Sequence, residues 1–413
     1  MPRKLLQVTN LNADMQCTAL RSESASGGKL LQRLIIDKDI WSVAMLRRMA
    51  QVMALAVSSV GNAVPLADLS GGQTGRIEFM ASNPPHRWAL IRGELGPRQA
   101  IYGDLLLPPT PNAKIPAVVM SHGSDGITEG MREVWAKPFL AAGYAVFMVD
   151  SFSPRDSAKI AGTGAQLTWN TTVNISDAIY ALKLLTSHPK IDASRIFHLG
   201  WSRGGSAVTG AMWPNYRFPI TQAESIKWAG SIPVYPGCNL RYRNPTLKVS
   251  APVLYLFAEK DDMTPAEPCV EEVNLLAAEG NAVQYKVYPG AYHVFDRLNQ
   301  ARQSFREGTY ARCAVDVVMP SHVSDRKWGP AFNRATKTTL ETPPEWEAAV
   351  KDCAGTFWIT SATDVKAREQ AVKDALEFMD RTSRALAQES KPTTDKAEID
   401  KRAEEILRLV NFK

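Results

Sequence analysis

The 413-residue sequence has no run of about eighteen apolar residues free of charge, the length a helix needs to cross a bilayer core, so no spanning helix is expected. It has no Cys-x-x-Cys pair and no His/Cys spacing of a zinc site, which argues against a structural metal. No basic stripe with interleaved aromatics stands out, so phosphate-backbone binding and nucleic-acid partners have little support. Internal repeats are also absent. What remains is an ordinary globular composition, 45% apolar and 22% charged, in a chain long enough to bury a large core without staples.

The formal charge of +6 is unevenly spread. Residues 1–67 carry eight basic side chains against four acidic ones, which leaves the remainder at a net +2. Within this segment Arg47 and Arg48 precede a mildly apolar stretch at 49–60, and Gly61-Asn62-Ala63 puts small residues at the −3 and −1 positions of a signal-peptidase site. The pattern predicts a leader over 1–67, with Met45 as the biological start and a signal peptide at 45–63; an amphipathic N-terminal helix is the alternative. Cysteine use agrees with export. Of five cysteines, removal of the leader takes Cys17 and leaves Cys238, Cys269, Cys313 and Cys353. Four cysteines allow three pairings. The local pairs Cys238–Cys269 and Cys313–Cys353 are favoured, with a periplasmic or secreted location, against four free thiols in a reduced cytoplasm.

From about residue 75 short β-rich runs alternate with helical stretches. Strands are predicted at 75–80, 99–106, 117–121, 144–150, 195–199, 228–235, 252–258 and 283–288, and helices at 131–142, 173–185, 203–212 and 267–278. Runs such as Ala117-Val118-Val119-Met120 and Ala145-Val146-Phe147-Met148-Val149 are continuously apolar, as a parallel strand covered on both faces requires. The fold class is therefore α/β, a mostly parallel, doubly wound, eight-stranded sheet with helices on both faces, spanning 68–390. Residues 297–365 lack clear periodicity and read as an insertion over one end of the sheet, before a last helix near 366–387. Residues 391–413 predict a charged amphipathic helix.

The sharpest local signal is Gly200-Trp201-Ser202-Arg203-Gly204-Gly205, between a predicted strand and a predicted helix. That is the setting of a Gly-x-Ser-x-Gly nucleophile elbow, in which small residues permit a tight turn that exposes the serine hydroxyl. A serine needs a base and an orienting acid to become nucleophilic. Among six histidines, His293 stands in the loop after the last predicted strand, and Asp261 follows the preceding one, favoured over the adjacent Asp262. His198 lies in a core strand, and His86, His188 and His322 carry no signal. Donors to a developing oxyanion are expected from the backbone N–H groups of Arg203 and Ser124, with His122 bracing the loop. Trp201 and Arg155 are candidates to touch substrate. For Arg155, as for the Arg203 side chain, the alternative is a salt bridge, for example with Asp150 or Asp177.

Five segments together resemble the dienelactone hydrolase family within the α/β-hydrolases. They are Ser121-His122-Gly123-Ser124-Asp125-Gly126, Val149-Asp150-Ser151-Phe152-Ser153-Pro154-Arg155, the elbow, Asp261-Asp262-Met263-Thr264-Pro265-Ala266 and Tyr288-Pro289-Gly290-Ala291-Tyr292-His293. The resemblance implies a hydrolase of small-molecule carboxylic esters or lactones, working through an acyl-enzyme with no metal or organic cofactor. The founding enzymes use a cysteine nucleophile where this chain has Ser202, so their small anionic lactone is not carried over. A serine peptidase or acyltransferase of the same fold and a non-catalytic hydrolase-like binding protein are the rivals.

Overall fold

The computed structural model describes residues 64–109, 114–155, 171–244, 246–323 and 329–389. Residues 1–63 of the expected leader, with the signal peptide, and the expected helix at 391–413 lie outside those residues. Eight strands, β1 (Gly75–Ser82), β2 (Arg98–Leu106), β3 (Ile115–Ser121), β4 (Ala145–Asp150), β5 (Ile191–Trp201), β6 (Gly230–Val234), β8 (Val253–Ala258) and β9 (Val283–Tyr288), form one sheet. A short strand, β7 (Leu240–Arg243), lies elsewhere. The order is β1-β2-β4-β3-β5-β6-β8-β9. The pairs β1/β2 and β2/β4 are antiparallel, and every neighbour from β4 to β9 is parallel. This is the strand order of an α/β-hydrolase sheet.

Continuous apolarity has its expected meaning. Along β3 and β4, Ala117, Val119, Ala145, Phe147 and Val149 enter the core on one face, while Val118, Met120, Val146 and Met148 enter the core on the other. Each fully buried Val, Phe or Met among them contributes roughly 1.5–3 kcal/mol. The first face is covered by α1 (Arg87–Arg92), α3 (Thr172–Leu185), α4 (Arg203–Ala211), α5 (Pro214–Thr221) and α6 (Ala266–Ala278), and the second by α2 (Lys137–Ala141) and α8 (Val365–Glu389). Ala367, Ala371, Ala375 and Phe378 form the buried stripe of α8, at the spacing of one helix face.

The helix expected at 131–142 is split. Pro138 has no N–H to continue the ladder, and the preceding turn, Met131–Ala136, is π-helical, with Lys137 N–H reaching Arg132 O. Strand β5 starts four residues before its predicted beginning, because Ile191 already pairs with Ile115 of β3 and the polar stretch after it forms a bulge.

The aperiodic region is the largest departure from expectation. It contains β10 (Gln303–Thr309) paired antiparallel with β14 (Gly355–Ser361), and β11 (Val315–Val318), β12 (Ala331–Asn333) and β13 (Thr338–Leu340), which join β7 in a four-stranded sheet. A helix, α7 (Pro343–Cys353), opens with a capping box in which Thr342 and Glu345 satisfy each other's backbone N–H groups. Disulfides join Cys238 to Cys269 and Cys313 to Cys353. The first ties the chain beyond β6 to α6; the second ties the chain before β11 to the end of α7. Among the described residues no helix is long and apolar enough to cross a membrane.

Candidate active site

The elbow is built where β5 meets α4. Ser202 has φ 51° and ψ −114°, a left-handed backbone that a side-chain-bearing residue adopts only when its surroundings impose it. Those surroundings are two glycines. A Cβ on Gly204 would lie 2.0 Å from Ser121 O, and one on Gly200 would lie 2.5 Å from Gly204 O, so strand, turn and β3 close on each other only without side chains. Ser202 N–H is bonded to Val234 O at 2.9 Å, which holds the turn to the end of β6.

Three side chains from three sheet-edge loops converge. His293 Nδ1 lies 2.7 Å from Asp261 Oδ2, and His293 Nε2 lies 3.1 Å from Ser202 Oγ. A carboxylate only accepts, so the imidazole proton sits on Nδ1 and Nε2 is left to accept from the serine hydroxyl. All three residues are buried. Asp261 Oδ1 in turn accepts from the N–H groups of Met263 and Thr264, at 3.0 and 2.8 Å, which fixes the carboxylate plane. The neighbouring Asp262 faces the other way and accepts from Thr360 N–H in β14 at 2.8 Å.

Across the elbow, the His122 ring is fully buried. Its Nε2 accepts from Ser151 N–H at 3.0 Å, so Nδ1 carries the proton and donates to Gly123 O at 2.6 Å. Burial depresses its basicity below the ordinary histidine range. In a trans peptide the carbonyl and the following N–H point oppositely. Holding Gly123 O therefore also sets the direction of Ser124 N–H. Arg203 Nε donates to Ser124 Oγ at 3.1 Å, joining this loop to the first residue of α4.

A cavity of about 280 Å³ opens over Ser202 and His293. Trp201 and Ser124 line it, but Arg155 does not. The Arg155 guanidinium forms a bidentate pair with Asp177, both contacts at 2.8 Å, and also donates to Ser151 O and Asn83 Oδ1. At 3% and 0% side-chain exposure the pair is enclosed. Its role is to tie the loop after β4 to α3, and the substrate-binding expectation fails because the fork is already engaged. Trp201 packs edge-on to Trp135 at 5.3 Å.

Several residues around the site carried no sequence signal. Tyr235, at the end of β6 with φ 35°, packs its ring edge-on to His293 at 4.8 Å, accepts at its carbonyl from Thr264 Oγ1 and donates its hydroxyl to Asp296. Asp296 also accepts from Trp135 Nε1 at 2.8 Å, and burial raises its pKa above the usual carboxylate range. The cavity's outer wall comes from β10, where Gln303, Phe305 and Glu307 share one face. Their period of two was a legible strand signal, masked by the polar ends. Among the described residues no group of three or more His, Cys, Asp or Glu side chains could hold a metal ion.

His198 stands apart from this constellation. It is fully buried, bonds Ser121 Oγ through Nε2 at 2.9 Å and stacks on Trp228 at 4.5 Å. Burial pulls its pKa down to about 3. The unfolded chain protonates this ring near its ordinary value, roughly 6.5, so acid favours unfolding and stability declines from about pH 6.5 toward 3, with a limiting slope of about 1.4 kcal/mol per pH unit. Melting curves between pH 7 and 4 should therefore show a shallower acid loss for His198→Gln than for the wild type. An unchanged slope would show that other groups govern acid stability.

The sequence matches the dienelactone hydrolase family model over residues 102–316, just over half of the chain, from β2 through the elbow and the Asp261 and His293 loops to β11. No curated protein matches it. Among solved structures it is similar to a Klebsiella pneumoniae protein assigned as a dienelactone hydrolase, at 16% identity and TM-score 0.38 over 54% of this chain and 88% of that one. It is also similar to Thermogutta terrifontis esterase 2, seen phosphonylated by cyclosarin (17% identity, TM-score 0.38, 47% of this chain and 80% of that one) and bound to propionate (16%, 0.37, 47% and 80%). Scores of this size carry nothing about activity. The family match covers the sheet from within β2 to β9 and all three converging loops, and the chain belongs to the dienelactone hydrolase family, a hydrolase of the α/β-hydrolase superfamily.

Proposed function

We propose that the protein is a serine hydrolase of carboxylic esters or lactones that works through an acyl-enzyme, with Ser202 as nucleophile, His293 as general base and acid, and Asp261 as the orienting carboxylate. The observation that carries this reading is the unbroken hydrogen-bond chain from Asp261 through His293 to a serine hydroxyl that opens on the cavity. As Ser202 Oγ bonds to the acyl carbon, His293 Nε2 takes the hydroxyl proton and Asp261 steadies the resulting imidazolium. The carbonyl oxygen becomes an alkoxide, stabilised by the backbone N–H groups of Arg203 and Ser124; losing one such donor costs roughly 10²–10³-fold in rate. Collapse breaks the ester C–O bond, and the leaving alkoxide takes the proton from Nε2. Water then gives its proton to His293 as it attacks the acyl-serine, and the acid departs with Ser202 restored.

The test is labelling with a fluorophosphonate probe, wild type beside Ser202→Ala, followed by kinetics on p-nitrophenyl esters of increasing acyl length. Labelling of the wild type at Ser202 and none of the variant is expected. Labelling that survives the substitution would move the nucleophile elsewhere. No labelling of either protein would favour a binding module of hydrolase fold, and faster turnover of amides than of matched esters would favour a peptidase.

We also infer a periplasmic or secreted location. Two disulfides in one domain support it, since such bonds persist in oxidising compartments. Recovery of the protein in the cytoplasmic fraction of its host, with reduced thiols, would reject it.

A further inference from the structure

Among the described residues the cavity's lining charge is mostly negative, and the one guanidinium that lines it is already engaged. Arg297 pairs with Asp125 and donates to Gln300 Oε1 at 2.6 Å. Of the lining carboxylates, Asp125 is neutralised by that pair and Asp296 is buried under the Tyr235 and Trp135 donors. Glu307 differs from both. It is half-buried on the inward face of β10, its Oε1 accepts only from Gly308 N–H at 2.8 Å, and among the described residues no lysine or arginine pairs with it. Arg312 lies over the ring of Phe357, the cross-strand partner of Glu307.

The alternation of the ribbon fixes where Glu307 acts. Gln303, Phe305 and Glu307 stand opposite Ser361, Ile359 and Phe357, and Ile359 is fully buried, so this is the covered face. Arg306 and Trp358, the pair on the other face, point outward, with Trp358 68% exposed. Two residues beyond Glu307, Thr309 Oγ1 donates to Met263 O at 2.7 Å, which seats that end of the ribbon on the loop bearing Asp261. An unpaired carboxylate is thus held in the cavity wall, on the same strand face as Phe305, in a lining that also includes Tyr235 and Trp201. An unpaired carboxylate in a partly enclosed wall attracts a positively charged nitrogen and repels an anion.

We propose that the cavity selects esters whose acyl part carries a cationic nitrogen, such as an ammonium or quaternary ammonium group, and that Glu307 is the residue that recognises it. The inference rests on the ester-hydrolase reading above. It runs against the anionic lactones of the founding enzymes, for which this cavity has no uncommitted guanidinium among the described residues.

The experiment compares three p-nitrophenyl esters on the full chain: butanoate, 4-(trimethylammonio)butanoate and the succinate half-ester. For the wild type the cationic ester should exceed the neutral one in kcat/KM by about tenfold, with the anionic one slowest, and the preference should shrink as salt is raised. In Glu307→Gln, which keeps the acceptor for Gly308 N–H, the cationic-to-neutral ratio should fall close to one. Glu307→Lys should invert the order toward the succinate ester. A wild-type ratio at or below one, or a tenfold ratio that survives Glu307→Gln, overturns the inference while leaving the hydrolase reading intact. Failure of all three esters, with no phosphonylation of Ser202, overturns the hydrolase reading itself.

Discussion

Asp261→Asn is expected to lower kcat on an activated ester by about 10⁴-fold, with little change in folding. The amide would turn a donor toward His293 Nδ1, or present an oxygen with less charge; either way it removes the bias that leaves Nε2 free to accept from Ser202. Asp262→Asn, one residue along, is expected to keep turnover near the wild type, because an amide oxygen can still accept from Thr360 N–H. Steady-state kinetics on p-nitrophenyl butanoate separate the two. A crippled Asp262→Asn beside an active Asp261→Asn would reassign the acid. His293→Ala should be at least as damaging as Asp261→Asn, since the proton acceptor itself is lost.

Gly204→Ala is expected to destabilise the protein by at least about 3 kcal/mol and to abolish labelling of Ser202. The added methyl meets the main chain of Ser121 at 2.0 Å and His122 O at 2.7 Å, and neither can rotate away as a side chain could. Relief requires β3 and α4 to separate, which would pull Ser124 and Ser202 apart. Urea unfolding, followed at an unchanged m-value, measures the loss. A variant that unfolds at the wild-type midpoint would mean that the elbow is looser than its contacts imply. Gly126→Ala offers the contrast. Nothing lies within 4 Å of the added atom, so its cost is confined to the positive φ of 76°.

The sheet was legible because its strands are buried on both faces. Val118 and Val119 go to opposite cores, so the sequence shows an unbroken apolar run that no exposed strand would carry. The three converging residues were legible because each follows a strand end, where loops of a parallel sheet meet. The distinction between Asp261 and Asp262 was less accessible. It depends on the turn in which Met263 and Thr264 N–H groups bind one carboxylate and on a β14 backbone group about a hundred positions away. The region from 297 to 365 was illegible for a related reason. Its strands are three to seven residues long and pair with partners distant in sequence, so outside β10 no local period announces them. Arg155 shows the limit of proximity arguments. The sequence left open a substrate contact or a salt bridge with Asp150 or Asp177, and only coordinates show that Asp177 occupies its fork.

The β10–β14 ribbon meets the two reactive loops through main-chain and short side-chain bonds. His293 and Ser361 form a β-bridge, Thr360 N–H meets Asp262, and Thr309 meets Met263. None of these attachments depends on what Gln303, Phe305 and Glu307 happen to be. The inward face is therefore a replaceable panel, free to acquire new chemistry by point mutation while the reaction centre behind it keeps its alignment. For an engineer, or for natural drift, those three positions are where this scaffold can change its diet most cheaply.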